Sequence, residues 1–184
     1  MLKIDNDIKP LGINDILPLL FFLIRIRKEN NTMKYYRFLN LNNIPHVLVS
    51  LLRLIISSKF HLVSDKIVGF HHLLLILTTN QKKKVIGMCH FTIKKNICNT
   101  CWVGIVISDY YAGKGLGNKF LWDSIQYIRK LGFHEVILQV DGDNVRAYSL
   151  YKKIGFIFTS EQKTLDYRNH VLESFNEISM VLKL

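Results

Sequence analysis

Residues 100–156 switch their apolar period from strand to helix twice, and the first switch is made across a run of three glycines. Thr100–Ile107 is rich in β-branched and aromatic side chains and reads as a strand. The turn Ala112-Gly113-Lys114-Gly115-Leu116-Gly117 follows it. Beyond that turn Phe120, Leu121, Ser124, Ile125 and Ile128 share one face of a helix, and Gly132 is placed to end it. Residues 135–140 form a Val-Ile-Leu strand. Asn144 is then placed to cap a short helix running to Ile154, with Gly155 as its left-handed terminator. Two strand–helix units in succession must lay both helices against a sheet, so an all-helical or all-strand fold is excluded.

The rest of the chain supplies the remaining elements. A first strand is expected over residues 2–8 and a helix capped by Asn14 or Asp15 running to about Lys28, with Pro18 tolerated in its first turn. Residues 29–43 are polar and irregular, and Asn43 before Pro45 starts a second helix that continues over the apolar residues 47–56. Residues 73–79 and 85–93 read as a hairpin, and strands at 156–159 and 178–184 close the domain. The expected fold is α/β (α+β): one domain over residues 1–184, with a mixed, mostly antiparallel central sheet and helices on both faces. No repeat or Gly/Ser linker divides it, and 184 residues make one core of normal size.

Charge narrows the partners. Twenty-five basic against fourteen acidic side chains give a formal charge of +11, which attracts polyanions and weakly disfavours a small polycationic substrate. Lys82-Lys83-Lys84 reads as a solvated hairpin tip, and no aromatic–basic interleaving is present, so nucleic acid is not the expected partner. The apolar run at residues 16–24 is too short to cross a bilayer, and the first residues lack the features of a signal peptide. A cytoplasmic protein without a membrane partner, monomeric or homodimeric, is expected. Cys98 and Cys101 form one CxxC pair with no second pair, so the three cysteines read as reduced thiols and no metal is expected.

The glycine turn carries the chemistry. Backbone N–H groups at a helix start are unpaired and lie at the positive end of the helix dipole. Gly113, Gly115 and Gly117 let that backbone approach phosphate oxygens without Cβ clashes, while Lys114 and Lys119 add charge. Asn118 stands where a dinucleotide fingerprint wants glycine, and no Gly-Lys-Ser/Thr ends the turn as in a P-loop. Further on, Asn144, Ala147, Tyr148 and Tyr151 fall on one helical face, with the small Ala147 leaving room between polar neighbours.

The segment Tyr111-Ala112-Gly113-Lys114-Gly115-Leu116-Gly117, with Asn144-x-x-Ala147-x-x-x-Tyr151-x-x-x-Gly155-Phe156, resembles the GNAT superfamily of N-acetyltransferases. The resemblance implies an acetyl-CoA site over about residues 100–160. By the family pattern, the main chain of Ile105, Val106 and Ile107 would pair with pantetheine amides. The amides of Gly113, Lys114, Gly115, Leu116, Gly117 and Asn118 would cradle the pyrophosphate. Asn144 would contact pantetheine, and Tyr151 would protonate the departing CoA thiolate. A break in strand pairing near Ile107 is expected to expose a main-chain N–H for the thioester carbonyl.

The chain also departs from the pattern. Ala112 replaces the usual Arg or Gln, and Cys101 and Gln139 occupy the positions where the family places a general base. Cys101 would serve only with a lowered pKa. His90 acting through a water, His134, Asp141, or no dedicated base are the alternatives. Few acidic residues stand near the first two helices, which favours a protein or peptide amine over an amino sugar, polyamine or antibiotic. The reading from a different class is a non-catalytic CoA- or nucleic-acid-binding protein.

Overall fold

A computed structural model describes residues 6–29, 70–79, 84–94, 99–168 and 171–184. Among the described residues seven strands form one sheet: β1 (Asn6–Pro10), β2 (Phe70–Thr79), β3 (Lys84–Lys94), β4 (Thr100–Ile107), β5 (Glu135–Asp141), β6 (Ile157–Arg168) and β7 (Val171–Lys183). Their order is β1-β2-β3-β4-β5-β7-β6. All neighbours are antiparallel except β4 and β5. The helices are α1 (Ile16–Ile26), α2 (Leu116–Lys130) and α3 (Val145–Ile154). The expected second helix at residues 43–56 lies outside the described residues, as do residues 2–5 of the first strand and Cys98.

Helices cover both faces because the central strands β2 and β3 are apolar on both. Phe120, Leu121, Ile125 and Ile128 of α2 and Tyr151 and Ile154 of α3 pack on one face, over Cys89, Cys101, Val136, Leu138 and Met180. Leu19, Phe22, Leu23 and Ile26 of α1 pack on the other, over Leu74, Ile76, Met88 and Val106. The face expected for α2, with Ser124 included, is the one buried. Gly132 at φ +89° and Gly155 at φ +111° adopt the left-handed conformation their places required.

Three expectations need correction. Asp15 stands at the start of α1, but its carboxylate turns back to accept from Gly12 N–H at 3.0 Å and Lys9 Nζ at 2.7 Å. It therefore braces the β1–α1 corner instead of capping the helix, which ends at Ile26. The two C-terminal strands are much longer than the apolar stretches 156–159 and 178–184, because the hairpin continues through polar residues to the pair Arg168–Val171. Finally, the β3–β4 register is even from Gly87–Ile107 to Ile93–Cys101, so β4 carries no bulge. The break is on its other edge: parallel pairing with β5 covers only Thr100, Cys101 and Trp102, after which the two strands diverge.

Candidate functional site

That divergence makes a cleft of about 960 Å³ between β4 and β5, within the size range of small-molecule sites. Ser108 N–H donates to Ile86 O at 3.0 Å, and with an even antiparallel register main-chain groups alternate between the two edges of β4. Val103, Ile105 and Ile107 therefore turn their N–H and C=O towards the side that β5 has left. Val106 points its main chain at β3 instead, and its side chain is buried under α1. Of the three strand residues carried over from the family pattern, Ile105 and Ile107 present main chain to the cleft and Val106 does not.

The cleft leads to the start of α2. Gly113 and Gly115 both have φ +74°, and a Cβ at either would meet nothing within 4 Å. Their requirement is torsional, and the space above them is open. Lys119 N–H makes a helical bond to Gly115 O at 3.3 Å, so the N–H groups of Leu116, Gly117 and Asn118 lie ahead of any intrahelical acceptor. Gly115, at the N-cap, offers them no side chain. Gly117 differs from the other two glycines: a Cβ there would make ordinary contacts, 3.6 Å from Ile107 Cδ1 and 3.7 Å from Leu150 Cδ2.

The lysines are partly committed elsewhere. Lys119 Nζ pairs with Asp123 at 3.1 Å, and Lys114 Nζ lies over the rings of Tyr110 and Tyr111 at 4.8 and 5.5 Å. The amides, more than these two side chains, are what the turn offers to an anion. The turn is itself anchored, because Glu29 accepts from Ser108 Oγ and from Asp109 N–H, each at 2.6 Å.

The second signature segment lines the opposite wall. Asn144 Oδ1 accepts from Ala147 N–H at 3.2 Å, which caps α3 and leaves the side-chain NH2 as a donor in the cleft. At the far end of α3, Gly155 N–H bonds Lys152 O and Phe156 N–H bonds Tyr151 O, the paired bonds of a Schellman ending. This ending brings the Phe156 ring edge-on to Tyr151, with centroids 5.8 Å apart. Tyr151 is buried yet borders the cleft. Burial pushes its pKa up, and neighbouring Cys89 pushes it the same way, so the phenol stays protonated. Tyr148 is half-buried against the same core, beneath Lys152.

Cys101 is not a base. Burial pushes its thiol up to about 12, the reverse of what a thiolate would need. Cys89 is also pushed up to about 12, chiefly by burial and partly offset by the Ser124 hydroxyl. His134 is exposed and does not border the cleft. His90 does border it: its ring lies over Gly104, where any Cβ would overlap the imidazole. An isolated glycine inside a strand is the sequence signal for such a close approach.

Sequence reasoning named Gln139 and Asp141 on the far wall but missed Glu177. Val136, Leu138 and Val140 of β5 are buried under α2 and α3, so alternation turns Gln139 and Asp141 to the opposite face. There β7 places Glu177 opposite Asp141, and Gln139 Nε2 donates to Glu177 Oε1 at 2.8 Å. Asp141, Asp143 and Glu177 all border the cleft. The carboxylates that seemed scarce near the first two helices come from β5, its following turn and β7.

Residues 53–156 match the Acetyltransferase (GNAT) family. A stretch of 44 residues is 46% identical to mycothiol acetyltransferase of Pseudarthrobacter chlorophenolicus; it spans 24% of this chain but only 14% of that protein. The fold is similar to ribosomal-protein-S5-alanine acetyltransferase of Vibrio fischeri, with TM-score 0.73 and 17% identity over 97% of this chain and 93% of that one. It is equally similar to the microcin C7 self-immunity acetyltransferase MccE, solved with acetyl-CoA and AMP. That TM-score is 0.73, with 16% identity over 100% of this chain and 96% of the other. Among the described residues, no helix is long and apolar enough to cross a membrane.

Proposed function

Because this chain belongs to the acetyltransferase (GNAT) family, we propose that it moves an acetyl group from acetyl-CoA to a primary amine, with the cofactor laid in the cleft between β4 and β5. The observation that carries this reading is the end of β4–β5 pairing at Trp102, which opens a path from inside the sheet to the uncapped start of α2. The pyrophosphate would rest on the amides of Gly113, Lys114, Gly115, Leu116, Gly117 and Asn118, where fixed N–H dipoles favour an anion. Pantetheine amides would take the place of the β5 main chain beside Ile105 and Ile107, and Asn144 would add a donor from the other wall. Acetyl-CoA supplies the activated thioester. Tyr151 holds a phenolic proton for the sulfur that leaves.

The favoured acceptor is a protein or peptide amine. A chain of charge +11 repels a small polycation at long range, whereas one ammonium on a peptide meets the local carboxylates of Asp141 and Glu177. Those same carboxylates favour a second reading, a small-molecule amine, and the stretch similar to mycothiol acetyltransferase agrees with it.

A thermal-shift titration with acetyl-CoA and an acetyl-CoA-dependent thiol-release screen over peptides, amino sugars and polyamines test the proposal. The expected result is a raised melting temperature and turnover of at least one amine class. Absence of stabilisation by CoA or acetyl-CoA refutes it. Salt-dependent retention on nucleic acid without turnover would favour a binding protein built on the same fold.

A further inference from the structure

An amine that arrives as an ammonium must lose a proton before its nitrogen can attack, and neither position expected to take that proton can do so. The Cys101 thiol is buried and pushed up to about 12, and Gln139 is an amide. We infer that Glu177 is the proton acceptor for the amine, and that Gln139 and Gln162 are positioning residues that hold its carboxylate. This inference rests on the acetyl-transfer reading above.

The geometry is that of a base moved one strand over. The β5–β7 ladder sets Glu177 opposite Asp141, one alternation beyond Gln139 and its partner Ser179, so all four side chains share a face. The β6–β7 ladder sets Gln162 opposite Glu177. Gln139 Nε2 and Gln162 Nε2 reach Glu177 Oε1 from the two sides at 2.8 and 2.9 Å. Both amides act on one oxygen, which orients the carboxylate and leaves Oε2 to accept from an ammonium. Glu177 borders the same cleft as Ile105 and Tyr151 but lies on the sheet face opposite α2 and α3. Donor and acceptor chemistry are thereby kept on separate faces.

Among the described residues, the titratable groups that share the cleft with Glu177 are Asp141 of β5, Asp143 in the turn after it, His90 of β3, Asp109 before the glycine turn and Tyr151 of α3. Arg146 and Lys153 of α3 are charged groups on the cofactor side. Asp141 stands opposite Glu177 across the β5–β7 ladder.

The proton ledger closes without a further reactant. Glu177 takes one proton from the ammonium, and the freed nitrogen lone pair forms a C–N bond to the thioester carbonyl carbon. The C–S bond breaks, its electron pair leaves with sulfur, and Tyr151 gives that sulfur its proton. The second proton shed by the nitrogen returns to Tyr151 through solvent, and Glu177 releases its own to bulk water. The sum is ammonium plus thioester giving amide, thiol and one proton.

The test compares pH–rate profiles of wild type, Glu177→Gln, Glu177→Asp, Gln139→Leu and His90→Gln, using an amine found by the screen. Glu177→Gln should lower kcat/KM at pH 7 by about 10²–10³-fold, with the deficit shrinking towards pH 10 as solvent deprotonates the amine. Glu177→Asp should keep the acid limb at a lower rate, and Gln139→Leu should displace that limb at a loss of about tenfold. Acceptor binding with CoA present, read by calorimetry, should weaken in Glu177→Gln, while the thermal shift with acetyl-CoA persists and shows the variant to be folded. An unchanged profile, an equal loss at every pH, or disappearance of the limb in His90→Gln instead would overturn the assignment. Turnover of no amine by wild type would sink the transferase reading itself.

Discussion

Gly117→Ala should move stability and ligand affinity in opposite directions. Gly117 is the second residue of α2, and it has no left-handed φ to preserve. The new methyl would sit 3.6 Å from Ile107 Cδ1 and 3.7 Å from Leu150 Cδ2, distances that need no rearrangement. Alanine is favoured over glycine by up to about 1 kcal/mol inside a helix. In the first turn roughly half of that gain is expected, which for a chain of this size raises the melting temperature by about 1–2 °C. Gly117 also lines the cleft, so the methyl narrows it beside the Leu116, Gly117 and Asn118 amides. If a pyrophosphate oxygen rests there, one charge-assisted hydrogen bond of about 1.5–3 kcal/mol is lost. The Kd for acetyl-CoA then rises about 10–100-fold.

Scanning fluorimetry on the free protein and calorimetric titration with acetyl-CoA measure the two effects separately. Gly132→Ala is the control at the other end of the same helix: φ +89° makes it cost about 1 kcal/mol of stability, while affinity stays unchanged. A Gly117→Ala protein with an unchanged Kd and a higher melting temperature would refute the placement of phosphate at this helix start.

Two further outcomes are expected. Tyr151→Phe should reduce kcat by about 10²–10³-fold, within the usual range for one proton-transfer group, while the acetyl-CoA thermal shift persists; full activity in that variant would remove the phenol from the reaction. Stability should be level from pH 7 to 9 and fall above it. Cys89 and Cys101 are raised from the ordinary 9.0 to about 12, so above pH 9 the unfolded chain releases protons that the folded chain retains. Denaturant titrations at pH 7, 9 and 10.5 check this, and a midpoint unchanged at 10.5 would contradict the burial of both thiols.

The cofactor wall was legible in the sequence because its determinants are local. Positive-φ glycines, a capping Asn and a Schellman ending act through bonds between residues three to five apart, so spacing alone reports them. Asn144, Gly155 and the buried face of α2 stand where the pattern placed them. Glu177 left no such mark. It lies 38 residues from Gln139 and 15 from Gln162, and a Glu in a polar hairpin looks like any solvated residue until the two ladders align the three. Asp15 misled for a related reason: a carboxylate before an apolar run can cap forward or brace backward, and Lys9 on β1 decided for the second.

The sequence by itself determined the two strand–helix units, the anion-ready turn and the phenol's place on α3, because short-range torsional preferences and apolar periodicity suffice for each. Only the tertiary structure decided where β4 and β5 part, which main-chain groups face the cleft, and which carboxylate stands on its far wall. Those features depend on strand pairing between segments distant in the chain. The strand apolar pattern is the same whether a neighbouring edge is paired or open.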